Sequence, residues 1–158
     1  YNPNDKNFKT APELIRTLVE IASRGGNFLL NVGPRPDGTI QPEVEQILLS
    51  IGLWIKTNGS AIYDTVYGPI QGQSAVRSTA RGDRVFIHVF DWPQQGVLEM
   101  PTLPHMPVQA RLLKDGQPLK FRQEAGKLRI EVPRTAPETT VSVVEVKLAR
   151  PVYVGGGN

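Results

Sequence analysis

The first sixty residues place their apolar side chains at helical spacing, whereas most of the later chain follows the two-residue period of β-strands. Near the start, apolar residues recur every three or four positions, which predicts a helix with one buried face. These residues are Leu14, Ile15, Leu18, Val19, Ile21 and Ala22. Thr10 and Glu13 have the spacing of a capping box, Pro12 suits a first turn, and Gly25-Gly26 is expected to end the helix.

A short apolar run at 27–32 predicts a strand that stops at Gly33-Pro34. Its nearly continuous hydrophobicity is typical of a parallel strand that is buried on both faces. Within it, Asn27, Leu29 and Asn31 share one face, opposite the face of the intervening residues. A polar loop over 35–41 then leads to a second helix predicted from Pro42 to the Asn58-Gly59 pair. Its apolar face carries Val44, Ile47, Leu48, Ile51, Trp54 and Ile55.

From about residue 65 onward, strands replace helices. Segments 74–80 and 84–92 predict a hairpin about a turn at 81–83. Further strands are predicted at 96–100, 108–114, 119–123, 127–132 and 140–148, each bounded by Pro, Gly or Asp-Gly signals. So many short strands indicate an antiparallel β-sandwich. The fold class is therefore α+β. The chain divides into a first part over 1–64 with the predicted helices and strand, a β-sandwich over 65–149 and a flexible tail over 150–158.

Composition and charge exclude several classes of function. Among 158 residues there are 18 Lys plus Arg and 15 Asp plus Glu, and the basic residues are scattered, which argues against nucleic-acid binding. The chain has no Cys, which excludes disulfides and thiolate metal sites within it. His88 and His105 lack neighbouring ligands at metal spacing, so we predict no metal and no cofactor. No apolar run reaches the ~18 residues of a membrane span, so a membrane partner is not expected.

Four short motifs in the first third carry a family resemblance. They read G-G-N-F-L-L-N-V-G-P at 25–34, D-G at 37–38, I-G-L-W at 51–54 and N-G-S-A-I-Y at 58–63. Their order and spacing resemble the end of the catalytic barrel in family 29 glycoside hydrolases, the retaining α-L-fucosidases. The resemblance implies that 1–64 is the C-terminal remnant of a (β/α)8 barrel, followed by a β-sandwich. Ser60 departs from the pattern, which usually has Glu there, and we expect this to affect local packing.

The resemblance also implies an activity. Retaining α-L-fucosidases hydrolyse terminal α-linked L-fucose by double displacement, with one nucleophilic and one acid/base carboxyl group. The family has its nucleophilic Asp and acid/base Glu before this segment, so no catalytic residue is expected on this chain. The implied partners are fucosylated glycans and the missing upstream barrel, in a periplasmic or secreted setting, with a homo-oligomer left open. The alternative is a noncatalytic β-sandwich module that binds carbohydrate or another protein.

Two residues are candidates for substrate binding or support of the site. Asn31 lies near the end of the predicted strand, where it either orients an active-site group or sugar hydroxyl, or satisfies backbone groups where the barrel closes. Asp37 is the only acid in the loop that follows, and its position before Gly38 favours turn formation. Phe90 and Trp92 are the residues considered for a sugar-stacking platform, which only two Trp in the whole chain support thinly.

Overall fold

The computed structural model describes residues 7–153, with two α-helices followed by an all-β region. Helix α1 covers Ala11–Ser23 and α2 covers Pro42–Asn58, and a short 3-10 turn at Gly59–Ala61 follows. The strands are β1 Val66–Tyr67, β2 Val76–Arg81, β3 Arg84–Val89, β4 Val97–Pro101, β5 Pro107–Leu112, β6 Phe121–Glu124, β7 Lys127–Glu131 and β8 Ser142–Leu148. They form a five-stranded sheet, β1-β2-β3-β8-β5, and a three-stranded sheet, β4-β7-β6. The predicted α+β class and antiparallel sandwich are confirmed.

The predicted signals at both ends of α1 are present. The Thr10 backbone N–H donates to Glu13 Oε2 at 2.7 Å, and Thr10 Oγ1 accepts from the Glu13 N–H at 3.4 Å, which completes the capping box. At the other end, Gly25 has a φ of 74°, and the Gly26 N–H donates to the Ile21 carbonyl at 3.0 Å. This bond is typical of a Schellman motif, which a glycine in the left-handed region permits.

The strand predicted at 27–32 does not form within this chain. Residues 24–35 belong to no sheet, because a parallel strand needs neighbouring strands to bond with and the described residues supply none beside it. The predicted two faces nevertheless persist. Asn27, Leu29 and Asn31 are exposed, whereas the residues between them are half-buried against the helices.

The predicted hairpin is confirmed, with small changes at its ends. Strands β2 and β3 pair from Val76 opposite Val89 to Arg81 opposite Arg84. Gly82, in the turn, has a φ of 57°, a value that favours glycine. Strand β1 was not predicted, because its two residues are too few to show a period. Within the tail expected over 150–158, the Val152 N–H donates to the Gly82 carbonyl at 2.9 Å and the Tyr153 hydroxyl donates to the Tyr67 carbonyl at 2.9 Å. Residues 154–158 lie outside the described residues.

Two hydrophobic cores share the five-stranded sheet. One fills the space between the two sheets, and Val85, Ile87 and Val89 of β3 point into it. The other lies between the helices and the opposite face of this sheet, where Phe86 is completely buried. The helix-side core consists of Ile15, Val19, Trp54, Ala61, Phe86, Val141 and Val143. Both helices are therefore held against the sandwich by buried apolar surface, which is the main favourable term in folding.

Candidate functional site

The candidate site lies where the extended segment 27–33 passes both helices. A groove of about 270 Å³ runs there, and Asn31 stands on its rim. Its wall is mainly apolar and includes Phe8, Leu14, Leu30, Val44 and Leu48. Apolar pockets with few polar groups are the usual form of small-molecule sites. In this groove the Asn31 side chain is a polar group that is exposed and able to reach outward.

The Asn31 amide has no hydrogen-bond partner within residues 7–153. The side chain is exposed, and it lies on the same face of the segment as Asn27 and Leu29, the latter being 90% exposed. An amide side chain offers two donors and a carbonyl acceptor. These groups are free for partners outside the described residues. Both interpretations of Asn31 therefore stay predictions, because the groups that it would bond where the barrel closes are not among the described residues.

Asp37 lies in a tight turn and is fully exposed. Its Oδ1 accepts hydrogen bonds from the Thr39 N–H at 3.0 Å and from Thr39 Oγ1 at 2.7 Å. The backbone hydrogen bond from Thr39 is the main cause that lowers the pKa of Asp37, and the hydroxyl bond adds to it. Gly38 follows with a φ of 82°. The turn interpretation of Asp37 thus has a geometric basis, and a role in substrate binding stays a prediction.

Gln41 is a polar residue near the site that the sequence did not single out. It occupies the N-cap position of α2 but makes no side-chain capping bond. Its side chain is only 7% exposed, and its Oε1 is buried without a partner among the described residues. Its place before Pro42 could have indicated a helix N-cap, but nothing in the neighbouring sequence predicted that its side chain is buried. A buried unpaired carbonyl is costly, so Gln41 is suited to accept from a group outside the described residues.

An ion pair joins α1 to the five-stranded sheet. Arg77 Nε lies 2.5 Å from Glu20 Oε2, and this hydrogen bond is the largest cause that lowers the pKa of Glu20. Arg16 donates to the Phe90 carbonyl at 2.9 Å, and the guanidinium groups of Arg16 and Arg77 both lie over the Phe90 ring. Phe90 therefore serves this interface. Trp92 is half-buried, packs against the core between the two sheets and donates to the Pro133 carbonyl at 2.7 Å. Sugar stacking on Phe90 or Trp92 stays a prediction.

His88 is completely buried beneath the helices. Thr79 Oγ1 donates to the Ala61 carbonyl at 2.6 Å. His88 Nε2 lies 3.0 Å from this Thr79 hydroxyl oxygen. Because the single hydroxyl proton of Thr79 is used, His88 Nε2 carries the proton and donates. Burial lowers the pKa of His88 to about 3, against a smaller opposite effect of the Ala61 carbonyl. His88 is thus a neutral structural residue near the end of α2.

Residues 7–153 contain neither a metal-binding cluster nor a membrane-spanning helix. No group of three or more His, Asp or Glu side chains is arranged to hold a metal ion in this part of the chain. Neither of its helices has the length and hydropathy that a membrane crossing needs.

Two family models match this chain, one over its helical first part and one over its β-rich second part. Residues 1–60 match the sequence model of the family described as alpha-L-fucosidase, and residues 72–148 match the model described as alpha-L-fucosidase C-terminal domain. An alpha-L-fucosidase of Branchiostoma floridae is 37% identical over 118 residues, which are 72% of this chain and 26% of that protein.

Solved structures agree with the sequence matches. Alpha-L-fucosidase isoenzyme 1 from Paenibacillus thiaminolyticus superposes with a TM-score of 0.86 at 29% identity, over 94% of this chain and 37% of that one. A GH29 alpha-L-fucosidase from Bacteroides thetaiotaomicron, trapped as a covalent intermediate with 2-fluoro-fucosyl fluoride, gives 0.80 at 29% identity, over 88% and 32%. The chain therefore spans about a quarter to a third of the length of such relatives.

Proposed function

This chain belongs to the α-L-fucosidase family, and we propose that its parent polypeptide hydrolyses terminal α-linked L-fucose from glycans with retention of configuration. The observation that carries the proposal is the pair of family matches, which cover the end of the catalytic region at 1–60 and the C-terminal domain at 72–148 in the expected order. The covalent intermediate trapped in the similar Bacteroides thetaiotaomicron enzyme supports a double displacement.

The chemistry requires groups beyond those of this chain. Retaining hydrolysis uses two carboxyl groups about 5 to 5.5 Å apart, one to attack the anomeric carbon and one to protonate the leaving oxygen. Active sites of such barrels lie at the C-terminal ends of the strands. The loop that follows the 27–32 segment offers a single acid, Asp37, whose Oδ1 is already bonded within its own turn. We therefore assign the nucleophile and the acid/base to the upstream barrel.

The first role that we assign to this chain is to close the barrel. Segment 27–33 has unpaired backbone groups and an outward face of Asn27, Leu29 and Asn31. Neighbouring strands from upstream would pair with it and bury that face in the barrel interior. Asn31, nearest the C-terminal end, would then reach the mouth, where its amide can orient an active-site side chain or a sugar hydroxyl. Asp37 would hold the loop beside it in a fixed turn.

The second role is to buttress the barrel. The helix-side core fixes both helices to the five-stranded sheet, and Trp54 of α2 donates to the Val141 carbonyl at 2.9 Å across this interface. The Arg77–Glu20 pair adds a partly buried contact from β2 to α1. Because α1 and α2 flank segment 27–33 in sequence, a sandwich that holds the helices also restrains the segment between them.

The test is to express the parent polypeptide with its upstream coding sequence and assay it on an aryl α-L-fucoside. We expect turnover, with α-L-fucose as the first product seen by proton NMR because two inversions retain configuration. The isolated chain of 158 residues is the control, and we expect it to be inactive. A parent that binds fucosylated glycans but never hydrolyses them would instead support the noncatalytic module, and a first-formed β-anomer would contradict the retaining mechanism.

A further inference from the structure

The outer face of the three-stranded sheet lies on the side of the sandwich that is turned away from the helices. The inner face of this sheet contributes Leu128 and Ile130 to the core between the two sheets, whereas the helices pack on the far face of the five-stranded sheet. Side chains alternate along a strand, so the outward positions of β7 are Lys127, Arg129 and Glu131. Both sheets therefore separate this face from the helical part of the chain.

Two arginines lie directly opposite each other on this outer face. Arg122 of β6 is in register with Arg129 of β7, and residues paired in this way point to the same face with their Cβ atoms about 4.5 to 5.5 Å apart. Like charges in such positions destabilise a sheet. Lys120, two residues before Arg122, adds a third cation to the same face. Its side chain is exposed and forms no ion pair within residues 7–153.

The neighbouring carboxylates neutralise the two arginines only from the sides. Glu99 of β4 binds Arg129 at 2.7 Å and also binds Lys127. Glu124 lies 3.4 Å from Arg122, but these two side chains are 60% and 65% exposed, and solvent leaves such an ion pair little strength. Among the described residues, no carboxylate binds both arginines. An anion placed between Arg122 and Arg129 would therefore relieve a repulsion that the sheet itself leaves uncompensated.

A hollow of about 150 Å³ adjoins the two arginines. It is lined by three cations, one acid and two apolar side chains, namely Lys120, Arg122, Arg129, Glu131, Val97 and Phe121. Val97 is 42% exposed, and the Glu131 side chain forms no ion pair among the described residues. Sites that enclose a whole small molecule usually measure about 300 to 1,000 Å³. The hollow therefore suits one residue of a longer molecule.

The groups around the hollow favour a sugar residue that carries a negative charge. Guanidinium groups present planar sets of donors that match the oxygens of an anionic group. The Glu131 carboxylate accepts hydrogen bonds only, so it suits sugar hydroxyls, and the apolar wall at Val97 suits the C–H groups of a sugar ring. A simple polyanion without hydroxyls to donate would gain nothing from Glu131, whose charge would repel it.

We propose that the outer face of the three-stranded sheet binds an acidic glycan, through a sugar residue whose sulfate or carboxylate group lies between Arg122 and Arg129. The inference goes beyond the proposed function, because binding at this face does not depend on hydrolysis. The surface faces away from the helices, so the joining of α1 and α2 to an upstream barrel leaves it open. A surface that holds a polysaccharide raises the effective concentration of that polysaccharide for any other site on the same polypeptide.

The experiment measures the affinity of the parent polypeptide for three polymers by affinity electrophoresis in native gels. The polymers are a sulfated fucan, polygalacturonate and neutral dextran. We expect at least one acidic polymer to retard the protein and dextran to have no effect. Arg122→Ala and Arg129→Ala should each weaken that binding at least about tenfold, since each removes charge-assisted hydrogen bonds. The control is Arg150→Ala, because Arg150 is an exposed cation that follows β8 in the other sheet. Equal affinities of wild type and both arginine variants would overturn the proposal.

Glu131→Gln separates a glycan site from simple attraction of polyanions. It should weaken binding of the acidic polysaccharide, because a charged acceptor for sugar hydroxyls is lost. If the surface only attracts negative charge, the same variant should bind more tightly, and that result refutes the proposal. Inorganic polyphosphate that binds as well as the acidic polysaccharide, with the same dependence on Arg122, refutes it too. Retardation by the sulfated fucan alone assigns a sulfate ester, and retardation by polygalacturonate alone assigns a carboxylate.

Two further measurements keep the result from being confused with unfolding or with loss of hydrolysis. The melting temperature of Arg122→Ala should not fall below that of wild type, because the variant removes one of two facing like charges. Activity on an aryl α-L-fucoside is recorded in parallel. An active parent that binds no acidic polymer overturns the glycan surface alone. An inactive parent whose binding depends on Arg122 and Arg129 overturns the proposed fucosidase activity and retains the glycan surface.

Discussion

Replacing His88 with Gln should remove a large part of the acid sensitivity of this fold. The folded protein holds His88 neutral, with its pKa lowered by burial to about 3 from an ordinary value of 6.5. The unfolded chain therefore binds a proton on His88 at a higher pH than the folded chain does. His88 therefore does not reduce the free energy of unfolding above pH 6.5, but it lowers that free energy progressively as the pH falls toward 3. At pH 4.5, two units below the unfolded pKa, the loss is roughly 2 to 3 kcal/mol.

Gln is the informative substitute because its Nε2 can take the place of the imidazole Nε2. It keeps a donor to Thr79 Oγ1, which lies 3.0 Å away in the native protein, and it does not titrate. Urea unfolding of wild type and His88→Gln, followed by tryptophan fluorescence between pH 7.5 and 4.5, measures the effect. Wild type should lose roughly 2 to 3 kcal/mol more than the variant over this range.

The control for this experiment is His105→Gln, because His105 lies in the loop before β5 and is not fully buried. His105→Gln should keep the pH dependence of wild type. The reasoning is refuted if His88→Gln and wild type lose the same free energy on acidification, because His88 would then have the same affinity for protons in both states.

Three further predictions concern the site, the exposed surface and the backbone. In the parent enzyme, Asn31→Asp and Asn31→Ala should lower turnover on the order of a hundredfold with little change in melting temperature; near-normal turnover with a lowered melting temperature would make Asn31 purely structural. The isolated chain should self-associate through exposed leucines such as Leu53, which is 70% exposed, and Leu53→Ser should raise the monomer fraction in analytical ultracentrifugation. Gly68→Ala should destabilise the folded protein severely, because the new Cβ would lie 2.5 Å from the Ser78 backbone carbon. Gly52→Ala, inside α2 with open space around it, should instead raise the free energy of unfolding by about 1 kcal/mol in thermal unfolding.

The elements that the sequence predicted well are those whose signals are local. The capping box at Thr10 lies three residues from its partner, and the β2–β3 hairpin needs only Gly82 and two alternating segments. The strand at 27–32 was predicted from its nearly continuous hydrophobicity, which is typical of a strand buried on both faces. Its hydrogen bonds depend on neighbouring strands that are not among the described residues, so the pattern alone could not yield a strand here.

The site was less predictable because its supporting contacts are remote in sequence. Arg77 and Glu20 are 57 positions apart, and Trp54 and the Val141 carbonyl are 87 apart. No periodicity reveals which base meets which acid across such a distance. Gln41 was missed because its burial is a tertiary property that no local pattern in the sequence indicates. Asn31 became a candidate because its alternation with apolar neighbours is local, and its amide has no partner among the described residues.

The division of contacts in this chain suggests why a catalytic barrel would end in a sandwich. The segment at 27–33 makes no sheet of its own, yet the helices before and after it are fixed to the five-stranded sheet by a shared core. Closing a barrel requires its last strand to meet the first, and the ordering of that strand costs roughly 1 to 2 kcal/mol of backbone entropy per residue. A sandwich that already holds α1 and α2 reduces the number of conformations open to segment 27–33. On the role proposed for this chain, it would thereby lower the entropic cost of closing the barrel and would keep Asn31 at a constant position relative to groups that the upstream strands supply.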